Sequence, residues 1–288
     1  MTRHGIALVV AVALAGLGLA RDVPPPAPTP APAPTPSAAA RVEFCSLLRK
    51  CGLTAPAACT DAISGGGDGV DYDAERCGLA RDITARGIDP ADPAAFRVFR
   101  FLGARYQVVY RLDGQVAISE ARLAYLLDDL PLAAALLSYF QKTHYAAEYL
   151  DDPPHRRFKG RRGADLEGEA TLLVGRPGDR ELVYFGRGTS QIGPWKLRGL
   201  GLVQVRTAPA ADGKGLRYDV RVVAAPVNAV VNLMMRMGIF RRIALGHIRE
   251  VLDDIGEASA KLDKQGVAEG APFSARQKDG IAVLTRLP

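Results

Sequence analysis

The chain has 288 residues, of which 48% are hydrophobic, and carries a formal charge of +6 from 37 Lys and Arg against 31 Asp and Glu. That length holds one large domain or two small ones, and the apolar share is enough for a real core. The excess is modest and comes mostly from Arg, which solvated surface side chains account for, so no nucleic-acid partner is expected.

Met1-Thr2-Arg3-His4 precedes an apolar run from Ile6 to Ala20, the layout of a signal peptide. Small residues at Gly18 and Ala20 place a cleavage site after Ala20, giving residues 1–20 as signal. The run is 15 residues long, short of the roughly 20 a spanning helix needs; left uncleaved it would tether the chain to a membrane. Residues 21–41 are rich in Pro and Ala and predict a disordered, extended linker. The expected location is therefore periplasmic or extracellular.

Residues 42–103 form a leader that contains all four cysteines: Cys45, Cys51, Cys59 and Cys77. An even count in an exported chain predicts two disulfides, and the spacings are too wide for a zinc site. Of three possible pairings, Cys51–Cys59 with Cys45–Cys77 is expected. Asp73 is placed to cap a helix carrying Cys77, Leu79, Ala80 and Ile83, and Asp92-Pro93 opens a second through Phe96, Val98, Phe99 and Leu102. The loop Gly66-Gly67-Asp68-Gly69-Val70-Asp71 fits one copy of a calcium-binding repeat, but such repeats bind only when stacked, so it reads as a solvated loop.

From Tyr106 the residues alternate through Leu112, and Asp113-Gly114 predicts a hairpin turn before Val116 and Ile118. Ser119 caps a helix to Asp128, and a second helix runs from Pro131 to about His144 with Leu132, Leu136, Leu137 and Phe140 on one face. Strands are expected at 146–150, 165–174, 181–188, 196–207 and 215–224. Gly186, Gly188, Gly199 and Gly201 inside two of them suggest bulges or sharp bends. Gly188 to Trp195 reads as a long loop. A closing amphipathic helix spans Pro226 to about Leu262, with Leu233, Met237, Phe240, Ala244, Ile248, Val251, Ile255 and Leu262 recurring at steps of three and four, and Gly238 and Gly246 mark where it would kink. Residues 263–288 read as a flexible tail, with a short strand at Gly280–Leu287.

This α+β order of hairpin, two helices, antiparallel strands and one long closing helix resembles the helix-grip fold of START-like and polyketide-cyclase-like (SRPBCC) proteins over residues 104–262. The resemblance implies a curved antiparallel sheet wrapped around the C-terminal helix, with a cavity between them for an apolar small molecule or lipid. Some members of that superfamily are enzymes and many only bind or carry. Binding without catalysis is the reading here; a cyclase or aromatase using the same cavity, and a structural envelope protein without ligand, are the alternatives.

The candidate ligand-binding residues are Met234, Met237 and Phe240 on the closing helix, Tyr184 and Tyr218 on strands, and Trp195 as a lid. His247 is a lone polar group on the same helix. The basic run Arg156, Arg157, Lys159, Arg161 and Arg162 would suit anionic lipid headgroups, or be a solvated hairpin. The pairs Asp128-Asp129, Asp151-Asp152 and Asp253-Asp254 point apart and do not form acid/base pairs by spacing. Ser190 lacks the glycine spacing and the strand-to-helix turn of a hydrolase elbow. No metal constellation, phosphate loop or catalytic triad is legible, and no cofactor is expected.

Overall fold

The structure is a computed structural model that describes residues 38–57, 59, 74–92, 95–141, 143–153, 155–164, 166–176, 178–192, 195–225, 229–236 and 238–288. The expected signal, most of the linker, the loop at 66–71 and Met237 lie outside the described residues. The chain divides into two compact units, the boundary in sequence falling between Gln107 and Val108.

The first unit carries helices α1 (Ala38–Lys50), α2 (Ala74–Ala85) and α3 (Phe96–Leu102). Helix α1 starts inside the stretch read as linker, because Pro36 is the last proline of that stretch and Ser37 and three alanines follow it. Phe44, Leu47, Leu48, Leu79, Ile83 and Phe99 build a small core, and Phe44 meets the Phe96 ring at 4.8 Å between centroids. Both disulfides form, but not in the expected pairing. Cys45 joins Cys59 and Cys51 joins Cys77, with Cα separations of 5.4 and 5.0 Å. The reason is the placement of α2. Arg81 Nε donates to the Cys51 carbonyl at 2.9 Å, which holds α2 at the end of α1 and presents Cys77 to Cys51. Cys45, further back on α1, is left for Cys59.

The second unit is a seven-stranded sheet with helices on its inner face. In chain order it has β1 (Val108–Val116), α4 (Glu120–Leu126), α5 (Leu130–Phe140), β2 (Tyr145–Tyr149), β3 (Arg157–Arg162), β4 (Leu166–Val174), β5 (Glu181–Ile192), β6 (Trp195–Pro209), β7 (Leu216–Ala224), α6 (Ala229–Arg236), α7 (Gly238–Gln265) and α8 (Ala275–Leu284). The strand order is β1-β7-β6-β5-β4-β3-β2, antiparallel throughout. Helices α4 and α5 carry the chain from one edge strand to the other. Each has a side-chain cap: Ser119 Oγ accepts from Arg122 N and Asp129 Oδ1 from Leu132 N. Helix α5 packs on β2, and α7 packs on β1 and α5. This is the expected helix-grip architecture.

Four local expectations are corrected. Strand β1 does not turn at Asp113-Gly114; it pairs with β7 without a break from Val108↔Ala224 to Val116↔Leu216. Gly114 is there for a close approach, since a Cβ would lie 2.5 Å from the Tyr218 hydroxyl oxygen. The strand glycines do not mark bulges either. The register shift lies between Leu172 and Val174, and the glycines pair in register. The long loop before Trp195 is absent, because β5 and β6 run on until Ile192 pairs with Trp195. The closing helix is two helices, α6 and α7, with Gly238 opening the second and Gly246 inside it.

The tail is not loose. Helix α8 takes the place of the expected strand, closed by a Ser274–Gln277 capping box. Gly280, Ile281 and Leu284 are buried on it, at helical rather than strand spacing, and it packs on α4 and α5.

Candidate functional site

Alternation along each strand decides which side chains face α7. On β7 these are Leu216, Tyr218, Val220, Val222 and Ala224, all buried in the main core. The pairing carries this face across the sheet in rows. One row is Tyr110, Val222, Val203, Tyr184 and Leu172, all large. The next row toward β1's start reads Val108, Ala224, Gly201, Gly186, Ala170 and Phe158. The row beyond it reads Gly199, Gly188, Gly168, Gly160 and Ala147. Two adjacent rows therefore present a floor of glycine and alanine to the helices. Strands lie about 4.8 Å apart, so this floor is on the order of 15 Å wide.

The helices are tied down on either side of the floor. At one side Tyr110 Oη donates to the Met235 carbonyl at 2.6 Å, and Met235 is itself 2% exposed in the core. At the other, in the row after the glycines, Arg162 pairs with Glu250 of α7 at 2.8 Å and donates through Nε to Tyr145 Oη at 3.0 Å. Tyr145 Oη in turn donates to Asp254 of α7. The first turns of α7 lie between these ties along the chain, and on β4 to β6 the two floor rows carry no side chain longer than a methyl.

Burial governs the phenols around this face. Tyr110 is pushed up to about 12 by desolvation, partly offset by Arg241. Tyr145 is raised by burial and then by its bond to Asp254, while Tyr149 and Tyr184 are raised by burial. A phenol raised in the folded state gives stability that is full below the unfolded value near 10 and lost as pH climbs through the folded one. Stability should therefore be flat from neutral to about pH 10 and fall steeply above it. An ultraviolet tyrosinate titration checks this: Tyr110, Tyr145, Tyr149 and Tyr184 should ionise only as the near-ultraviolet dichroism is lost.

The structure brings together some of the sequence candidates and separates others. Tyr184 stands in the row bordering the floor, fully buried, with its ring edge-on to Phe158 at 6.1 Å. Its hydroxyl has no hydrogen-bond partner among the described residues. Tyr218 is on the same face but three rows from the nearest floor residue of its strand, beside Arg249 and Asp253 of α7. Met234, Phe240 and Trp195 lie on described backbone, but their side chains, like Met237, lie outside the described residues. His247 Nδ1 is 3.5 Å from both Glu250 and Arg162, so it belongs to the polar tie. Arg162, Tyr145 and Asp254 were not singled out as a set by sequence reasoning; their separation in the chain hides their meeting.

Two of the acidic pairs serve local roles, while Asp254 belongs to the long-range tie with Tyr145. Asp129 caps α5, and Asp151 Oδ2 accepts from Arg156 N and Arg157 N. Ser190 lies inside β5, opposite Leu166 and Leu197, not on a strand-to-helix turn. Among the described residues no group of three or more His, Cys, Asp or Glu is placed to hold a metal ion. Much of the basic run is engaged. Lys159 pairs with Glu167 at 2.7 Å, Arg162 with Glu250, and Arg156 donates to the Leu172 and Leu173 carbonyls.

No protein-family model matches the chain, and no curated protein matches it. Among solved structures, a protein of Deinococcus radiodurans is similar at 20% identity over 50% of this chain and 92% of its own, with a TM-score of 0.28. A protein of Mesorhizobium loti is similar at 14% identity over 56% of this chain and 100% of its own, with a TM-score of 0.35. StfQ, a di-domain ARO/CYC of the steffimycin biosynthetic pathway, is similar at 16% identity over 65% of this chain and 62% of its own, with a TM-score of 0.34. The strand order and the gripped α7 identify the architecture. The chain has a helix-grip fold.

Proposed function

We propose that this protein binds or carries a hydrophobic small molecule or lipid between the glycine floor and the first turns of α7. The observation that carries the reading is the floor itself. On β3 to β6, six glycines and one alanine stand in register on the face that a core would otherwise fill with large side chains: Gly160, Gly168, Ala170, Gly186, Gly188, Gly199 and Gly201. Interiors are packed without large voids, so a face stripped of side chains beneath a tied-down helix suits a guest molecule. Met234, Met237 and Phe240 are the proposed helical wall, with Trp195 at the mouth. Tyr184 offers the guest one hydrogen bond. Tyr218 is left out of this set because it lies away from the floor.

The reading includes export to the periplasm or beyond. The basic start and apolar run support it, as do two disulfides of the kind that persist in oxidising compartments.

A cyclase- or aromatase-type enzyme is the second reading, favoured by the unpartnered Tyr184 hydroxyl beside the floor. The test of the first reading is native mass spectrometry of protein purified without detergent from its host, followed by uptake of a fluorescent fatty acid. A bound mass or saturable uptake is expected; a clean apo mass with no uptake overturns it. Tyr184→Phe separates the two readings, since carriage predicts a several-fold loss of affinity at most and catalysis predicts loss of turnover with binding kept.

A further inference from the structure

Charge along the second unit is sharply divided. From Val220 to Arg249 the chain contains no Asp or Glu, and then Glu250, Asp253, Asp254 and Glu257 follow within two turns. The acid-free stretch includes α6 and the start of α7, and on it Arg236, Arg241 and Arg242 are exposed. None of the three has a carboxylate partner among the described residues. Helix α6 also has a defined orientation. Its Met235 points into the core and is held there by Tyr110 on the Met235 carbonyl. Leu233, roughly 200° around the helix from Met235, therefore points away from the core. It is 64% exposed, more than any other large hydrophobic residue among those described. Arg236 follows at i+3, on nearly the same face as Leu233.

We propose that this end of the closing helices docks on an anionic lipid bilayer surface. Leu233 enters the headgroup boundary and Arg236, Arg241 and Arg242 meet the phosphates, the arrangement of an interfacial amphipathic helix. Charge complementarity selects this occupant: three exposed guanidiniums with no carboxylate partner among the described residues, Arg236 beside the outward Leu233, and no carboxylate in the stretch to repel a negative surface. The basic run on β3 does not serve, because Lys159 and Arg162 are already neutralised by Glu167 and Glu250. Docking is independent of what the floor beneath α7 holds, so it stands or falls apart from the carrier reading.

The experiment is flotation of the full chain with vesicles of pure phosphatidylcholine and of phosphatidylcholine with 30% phosphatidylglycerol. The readout is the ratio of the two affinities, which cancels any charge-independent contribution from the apolar N-terminal segment. The wild-type ratio should be large at low salt and shrink toward one at high salt. The triple variant R236Q/R241Q/R242Q should cut the ratio by about a hundredfold, the product of roughly fivefold for each basic residue. The corresponding Arg→Lys triple variant should keep it, which shows that any loss is of charge and not of fold. Leu233→Ser should lower affinity for both vesicles about tenfold, and R157Q/R161Q on β3 should change nothing. A triple Gln variant that retains the wild-type ratio, or a β3 variant that lowers it as much, overturns the proposal.

Discussion

Gly186→Leu with Gly201→Leu should abolish retention of an apolar guest while leaving the fold intact. The two glycines face each other across β5 and β6 on the floor, and neither has a positive φ. Their backbones therefore accept a side chain, and a strand gains about 0.5–1 kcal/mol when glycine is replaced. Two leucines would occupy the space directly under α7, so uptake of the fluorescent fatty acid should fall at least a hundredfold. The same variant reports on the alternative in which α7 side chains already fill that space. Extra methylenes in a packed core typically cost 1–3 kcal/mol each time, so a large drop in thermal stability means there is no hollow. Unchanged or raised stability with lost uptake is the expected result. Gly114→Leu is the contrasting control, since there a Cβ would lie 2.5 Å from the Tyr218 hydroxyl oxygen and the ring must shift, so a loss of stability is expected on either account.

Removal of the Cys51–Cys77 bridge should unfold the helical unit without melting the sheet unit. The bridge spans 26 residues of sequence, a loop whose closure is worth about 3.5 kcal/mol in the chain-entropy model. A unit of this size has little core to spare, so that loss is of the order of its whole stability. Loss of Cys45–Cys59, which spans 14 residues, should cost about 3 kcal/mol. Cys51→Ala with Cys77→Ala, followed by proteolysis and mass spectrometry, reads this directly. Cleavage should appear between Ala38 and Leu102, and residues 108–288 should survive as a protected fragment. Equal protection of both units in the variant would show that the bridge is not what holds the helices.

Much of the architecture was legible because it is written in periodicity. The alternation of Leu216, Tyr218, Val220 and Val222 against Arg217, Asp219 and Arg221 is a half-buried strand on its face, and the structure buries the first set. Capping by Ser119 was read from one residue and its successor helix. The failures have a common cause. Asp113-Gly114 is a turn by local preference, yet nine consecutive pairings with β7 hold it straight. Glycines within strands look like bulges one strand at a time, and only the sheet register reveals that they align into rows. The disulfide partners depend on where α2 sits, which no spacing of cysteines records.

The candidate site was legible only in outline. Tyr184 was singled out as an aromatic on a strand, but the neighbouring rows of glycine that give it significance come from β3, β4, β5 and β6 together. The tie of Arg162, Tyr145, Glu250 and Asp254 joins residues as much as 109 positions apart in the chain, a meeting that no local window contains. The basic run on β3 is a related case. Its density left a headgroup site and a solvated hairpin both open, and Glu167 on β4 and Glu250 on α7 pair two of its charges.

By itself the amino-acid order determined the kinds of element, their succession, and which stripe of each is apolar, because those follow from side-chain chemistry over a few neighbouring residues. It also determined that four cysteines would pair and that one stretch of helix would lack acids. Only the tertiary structure decided the pairing of sulfurs, the straightness of β1, the helix at the C-terminal end and the lining of the floor. Those depend on which distant backbone lies alongside, and strand register and helix docking are settled by the whole assembly of contacts at once.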